Sequence, residues 1–179
     1  MEEAKEQAPV SPSRRFFVWG SAVLGALLAL VPGVPLLRAF FFPAKARTVG
    51  GPEGFVPVGE VEEFEEGVWK KVAIVADEYD AWTVIRNVTL GAAWVKRDGD
   101  HFDVFSTVCP HLGCSVDFDT KDNRFECPCH VSAFDRETGQ VLFGPSPRGL
   151  DPLEYRVEEG RLFIRYRRFI TGAAERHPA

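Results

Sequence analysis

The apolar pattern of the chain begins with an unbroken run. From Phe16 to Leu37 no residue is charged, then Arg38 precedes Ala39-Phe40-Phe41-Phe42. A helix of ~20 apolar residues spans the ~30 Å hydrocarbon core of a bilayer, so residues 14–42 are predicted to form a single transmembrane anchor. Pro32 and Pro35 predict a kinked or frayed last turn, which membrane helices tolerate. A cleaved signal peptide is the alternative. Its apolar core is only ~7–15 residues long and ends at a small-x-small site, whereas this run is longer and its end is bulky and aromatic.

Beyond position 55 the period changes to two. Val68-Trp69-Lys70-Lys71-Val72-Ala73-Ile74-Val75 alternates, placing Val68, Val72 and Ile74 on one face of a strand. Runs at 81–88 and 91–97 are rich in β-branched and aromatic residues. Asp98-Gly99 supplies a tight turn into His101–Val108, a hairpin. Near the end, Leu162, Ile164 and Tyr166 alternate against Phe163, Arg165 and Arg167, after a turn at Glu159-Gly160. No ten-residue window after 55 has helical periodicity. The pattern predicts an all-β fold of antiparallel sheets, barrel or sandwich. Arg161, Arg165, Arg167 and Arg168 are expected on a solvated strand face, with a docking patch as the alternative.

Composition shifts divide the chain. Residues 1–13 are acidic, contain proline and lack apolar periodicity, so they are expected to be disordered. Residues 43–54 hold three glycines and two prolines with almost nothing to bury, which reads as a flexible linker. The folded domain is expected over 55–171, and the tail at 172–179 carries no signal. Ser13-Arg14-Arg15-Phe16-Phe17 resembles a twin-arginine export signal. Basic residues do not set orientation: Lys5, Arg14 and Arg15 precede the span, and Arg38, Lys45 and Arg47 follow it.

A net charge of −5 gives no sign of a nucleic-acid-binding surface. The four cysteines change the picture. Cys109, Cys114, Cys127 and Cys129 crowd into one window, so disulfides or a metal must explain them. Two segments hold all the soft donors: Cys109-Pro110-His111-Leu112-Gly113-Cys114 and Cys127-Pro128-Cys129-His130. Thiolates suit iron–sulfur clusters and zinc; imidazoles suit zinc, copper and iron. A structural Cys₂His₂ zinc ion on Cys109, His111, Cys127 and His130 is one reading. An iron–sulfur cluster with mixed ligands is the other. His101 and His177 belong to neither segment.

These segments, with Ser132 and then Gly144-Pro145-Ser146-Pro147, resemble the Rieske iron–sulfur proteins, in particular the quinol-oxidising subunit of cytochrome bc-type complexes. The order of anchor, linker and β domain agrees. The resemblance implies a cluster-binding subdomain at about 105–148 carrying one 2Fe–2S cluster. Cys109 and Cys127 would bind the buried iron, and His111 and His130 the outer iron, where they would also be the catalytic groups that meet quinol. It implies a disulfide between Cys114 and Cys129, and a proline loop over the cluster at Gly144, Pro145 and Pro147. Leu112 would cover the cluster between the histidines, an ordinary buried leucine being the alternative. Rieske centres as a class have potentials of about −150 to +300 mV, against ~−400 mV for plant-type ferredoxins.

The resemblance also implies partners: cytochrome b and a c-type cytochrome, a quinol (menaquinol or ubiquinol), and a lipid bilayer around the anchor. A linker at 43–54 would let the head swing between quinol and cytochrome. A disulfide needs an oxidising compartment, which implies a cytoplasmic N-terminus and a head outside the cytoplasm. The Rieske subunit of a periplasmic oxidase such as arsenite oxidase is a second reading, and a zinc-stabilised, membrane-tethered binding module a third. Three positions depart from the family's pattern. Pro110 stands where threonine is frequent, and Val131 where glycine is usual. Phe134 stands where many members have a tyrosine whose hydroxyl donates to a cysteine sulfur; Ser132 keeps the hydroxyl that donates to a bridging sulfide.

Overall fold

A computed structural model describes residues 12–41, 48–49, 52–80 and 83–179. The expected tail at 1–13 lies outside the described residues except at its end, and so does most of the linker at 43–54. The chain forms two units, Met1–Ala46 and Arg47–Ala179.

In the first unit, α1 runs from Pro12 to Phe41 and continues through Pro32 and Pro35 instead of fraying there. Its apolar side chains, from Phe16 and Trp19 to Leu37, are exposed around the whole circumference. A helix that is apolar all round needs an apolar surrounding, and this one is long and apolar enough to cross a membrane over Ser13–Arg38. Ser21 donates its hydroxyl to the Phe17 carbonyl at 2.8 Å, so it brings no unsatisfied donor into that surrounding.

The second unit is all β, in three antiparallel sheets. The first sheet orders β1 (Thr48–Val49), β3 (Lys70–Asp80), β4 (Thr83–Asp98) and β5 (His101–Ser106) as β1-β3-β4-β5. The second orders β2 (Phe55–Glu60), β10 (Glu154–Glu158) and β11 (Arg161–Arg165) as β10-β11-β2. Together they form a base whose core includes Val56, Val72, Ile74, Val95, Val104, Leu162 and Ile164. Glu159 and Gly160 close the β10–β11 hairpin with positive φ at both residues, 50° and 78°, the geometry a two-residue turn requires.

The third sheet is smaller. β6 (Asp117–Asp119), β7 (Arg124–Cys127), β8 (Ser132–Phe134) and β9 (Val141–Phe143) follow one another in order. This cap packs on a second core of Trp69, Trp94, Phe105, Val116, Phe125, Phe134 and Leu150, which also holds Cys109 and Cys127. β4 and β5 serve both cores. Ala93 and Val95 face the base, while Trp94, paired across the ladder with Phe105, faces the cap. Burial on both faces explains why Ala93, Trp94 and Val95 are apolar at successive positions.

Two strand expectations shift. From Thr83 on, the runs expected at 81–88 and 91–97 are one strand, with register shifts against β3. Val68 is 49% exposed and precedes β3, whereas Trp69 turns into the cap core. The alternation itself holds, with Trp69 and Lys71 on the cap side and Val72 and Ile74 on the base side; Val68 lies outside the strand and is uncovered. Within the expected linker, Thr48–Val49 pairs with Tyr79 and Glu78 on β3, and Pro52–Gly54 forms a 3₁₀ turn.

Candidate metal centre

Two loops of the cap bring the predicted donors together. The first leaves β5 and turns back on itself: the Cys109 amide donates to the Cys114 carbonyl at 2.8 Å, and the Gly113 amide to the Cys109 carbonyl at 2.9 Å. Gly113 closes that turn at φ 83°. The second loop joins β7 to β8. Cys127 pairs with Ser132 across its base, and the Val131 amide donates to the Cys127 carbonyl at 3.1 Å. A disulfide between Cys114 and Cys129 ties the two loops together.

The donors are layered by depth. Cys109 and Cys127 are free thiols, 1% and 2% exposed. His111 is half-buried and His130 exposed, their rings edge to face with centroids 4.8 Å apart. Burial first, then the neighbouring Cys127 thiol, pushes the Cys109 thiol up to about 11, although the amides of His111 and Leu112 pull the other way. A thiolate at that position needs a cation beside it. Two thiols inside and two imidazoles outside are the donor types that an iron–sulfur centre with mixed ligands takes.

The remaining predicted positions surround these loops. Leu112 is 62% exposed, so it is no ordinary core leucine. Ser132 is buried, and its Oγ accepts the Ser146 amide at 3.2 Å, leaving the hydroxyl proton free to donate. Phe134 is wholly buried in the same core as Cys109 and Cys127. Gly144, at φ 101°, lies against loop two so closely that a Cβ there would stand 2.5 Å from the Ser132 Cα and the Val131 carbonyl. No other residue fits. Pro145 and Pro147 are exposed on the same loop. Val131 takes φ 56°, a left-handed conformation that is an outlier for a β-branched residue.

Sequence reasoning missed a buried ion pair below the proline loop. Arg148 donates to both oxygens of Asp151, Nε to Oδ1 at 2.9 Å and Nη2 to Oδ2 at 2.8 Å. Nothing in sequence separates a buried Arg-x-x-Asp from a surface one. Lys96 was missed as well. It is buried over the Trp69 ring and bridges Asp103 on β5 to Glu137 in the cap.

A domain of short strands whose loops present two inner thiols and two outer imidazoles defines an iron–sulfur electron carrier. The model of the Rieske [2Fe-2S] domain matches residues 54–154. The menaquinol:cytochrome c reductase iron-sulfur subunit of Geobacillus thermodenitrificans is 31% identical over 156 residues, covering 84% of this chain and 89% of that one. Its counterpart from Bacillus subtilis is 27% identical with the same coverage. The cytochrome b6-f complex iron-sulfur subunit of Gloeobacter violaceus is 29% identical over 168 residues, covering 91% of this chain and 87% of its own. The chain belongs to the Rieske family and carries one Rieske-type 2Fe–2S cluster.

Proposed function

We propose that Cys109 and Cys127 bind the inner iron and His111 and His130 the outer iron, in the Rieske subunit of a quinol-oxidising cytochrome bc-type complex. The buried thiol pair beneath the paired imidazoles, in loops joined by a disulfide, carries this reading. When bound, the cluster supplies a one-electron acceptor whose potential is raised because two neutral imidazoles replace two thiolates.

The protein's own groups do the rest. A quinol hydroxyl donates to the imidazole of His111 or His130, at the ring nitrogen that ligation leaves free. That nitrogen holds the proton released with the electron. Leu112 and Val131, both exposed and flanking these histidines in sequence, keep bulk water away from the hydrogen bond once quinol is seated. The disulfide and the glycine-to-backbone contact of the proline loop keep the two imidazoles at a fixed separation.

The helix anchors the subunit in a membrane, and cytochromes are its partners. The names of the relatives support menaquinol as donor and a c-type cytochrome as acceptor. The disulfide and the twin-arginine-like segment support a head outside the cytoplasm and a cytoplasmic N-terminus. Of the expected linker at 43–54, the part ahead of Thr48–Val49, which pairs with β3, would serve as the tether on which the head moves between quinol and cytochrome.

The test is purification from membranes followed by low-temperature EPR of the dithionite-reduced protein. A Rieske signal that co-purifies with b- and c-type haem and with menaquinol:cytochrome c activity is expected. A colourless, EPR-silent protein replete with zinc would defeat the ligand assignment. A Rieske signal co-purifying with an arsenite-oxidising subunit, without haem b, would replace the complex.

A further inference from the structure

The two ligand loops are joined covalently, and the second is joined to the proline loop through Ser132 and Gly144. The C-terminal tail joins the first ligand loop to the proline loop. The Gly172 amide donates to the Pro110 carbonyl at 2.7 Å, between Cys109 and His111. The next carbonyl, that of Ala173, accepts from Arg148 Nη1. Arg176 Nε donates to Asp151 Oδ1 at 3.1 Å and its Nη2 to the Leu150 carbonyl at 3.3 Å. Ser146 Oγ donates to the Arg148 carbonyl at 2.8 Å, which carries the connection into the Gly144–Pro147 segment.

We propose that residues 171–176 are a positioning element for the metal centre: a brace that fixes the first ligand loop, and so His111, against the proline loop. Hydrophobic burial does not explain the segment, because its residues are exposed apart from a half-buried Ala173. Its bonds are directional, and those named end on Pro110, Arg148, Leu150 and Asp151, all in the loops that bear or cover the site. The Arg148 and Asp151 side chains are only 6% and 4% exposed. A buried ion pair is costly unless its remaining hydrogen-bonding capacity is met, and here the tail meets it from both sides: Ala173 for the arginine, Arg176 for the aspartate. Gly172 sits at φ 75°, which turns its amide inward. The segment is held from behind by a short hairpin, in which Ile170 donates to the His177 carbonyl at 2.9 Å and Ala179 to the Arg168 carbonyl at 3.0 Å.

Fixing the Pro110 carbonyl fixes the peptide plane that leads into His111. Releasing it frees that ligand without touching it. The inference rests on the ligand assignment above, and the wild-type protein separates the two: absence of a Rieske EPR signal in wild type counts against the assignment, not the brace. The full chain in detergent is compared with a chain ending at Thr171, with Arg176→Ala and with Arg176→Lys. Three readouts are followed on the cluster-loaded protein: the g-values of the reduced cluster, its release half-life in chelator, and amide exchange at Cys109 and Gly113. Truncation is expected to broaden and shift the EPR signal, to shorten the half-life roughly tenfold, and to speed exchange at those two amides. Exchange at Ile74 and Ile164 in the base should stay as in wild type. Arg176→Ala should give a smaller change in the same direction, and Arg176→Lys should restore part of it. Wild-type g-values and half-life in the truncated chain would overturn the brace. Should the truncated chain fail to fold, Arg176→Ala decides by the same readouts, and no change in any of them overturns it.

Discussion

The base and the cap of the head are neighbours, yet different forces hold them. In the base, Ile74, Val95, Leu162 and Ile164 are wholly buried between two sheets, and strands of five to sixteen residues carry most of the ladder. In the cap, the strands are three or four residues long. Sheets that short do not stand alone. The cap adds to its aromatic core a disulfide, glycines that admit close backbone contact, a buried ion pair and the metal centre. One region is specified by a hydrophobic pattern spread over many residues. The other adds to an aromatic core a few chemical links, each hard to replace.

The largest break in that contrast comes from removing a ligand. Cys127→Ala or His111→Ala should abolish the Rieske EPR signal completely, while far-UV circular dichroism still reports the base sheets. His101→Ala is the control. Its ring accepts or donates to the Tyr155 hydroxyl at 2.8 Å on the base, outside both ligand loops, and the signal should survive its loss. A signal persisting in either ligand mutant would refute the assignment.

A matched pair of substitutions separates the two kinds of stability. Ile164→Ala removes a fully buried side chain from the base and should cost about 2–5 kcal/mol globally, with g-values unchanged. Cys114→Ser opens a bridge of sequence separation 15 and should cost about 3 kcal/mol in the chain-entropy model. Its effect should concentrate in the cap. Amide exchange at Cys109, Gly113 and Val131, all bonded within the ligand loops, should accelerate while exchange at Ile74 holds. Equal acceleration in both lobes would mean that they open as one unit, and the contrast would fail.

The same contrast explains what could be read in advance. Alternation at Leu162 and Ile164 placed β11 and its inner face, because that strand buries one side only. Alternation misplaced Val68, because the strand begins only at Lys70 and nothing covers the residue ahead of it. The donors Cys109, His111, Cys127 and His130 were legible because metal chemistry needs those residue types at close spacing. The supports were not. Arg148 and Asp151 look like surface residues until a fold buries them, and the tail at 172–179 carries no apolar period because it is held by hydrogen bonds of its backbone and of Arg176. Val131 could be noticed as a departure, but its left-handed backbone is visible only in three dimensions.

That backbone makes a smaller prediction. A left-handed conformation costs an L-residue about 1–2 kcal/mol. Val131→Gly should recover this strain, less ~0.4–1 kcal/mol for the greater freedom of the unfolded chain. Little burial is lost, since Val131 is 64% exposed. The net is a gain of up to about 1.6 kcal/mol, a rise of a few degrees in the melting temperature of the metal-free protein. A fall would mean that the valine packs to more effect than its exposure allows.

The smallest effect is read in millivolts and concerns Phe134. This residue is the ladder partner of Phe125 across β7 and β8, and it is wholly buried in the core that holds Cys109 and Cys127. A hydroxyl added there must find a partner, because an unsatisfied buried donor is costly. The cysteine sulfurs are acceptors in that same core. Hydrogen bonds to sulfur stabilise the more negative reduced cluster and raise its potential. A bond worth about 1 kcal/mol corresponds to ~40 mV for a one-electron couple, at ~59 mV per tenfold change in equilibrium. Phe134→Tyr should therefore raise the midpoint by tens of millivolts in protein-film voltammetry, and leave the melting temperature of the base unchanged. By the same reasoning the wild-type midpoint should lie below the upper part of the class range, which suits a low-potential donor such as menaquinol. A mutant whose structure shows the new bond but whose midpoint does not rise would refute the hydrogen-bond account. A wild-type midpoint at the top of the class range would refute the menaquinol reading while leaving the ligand assignment intact.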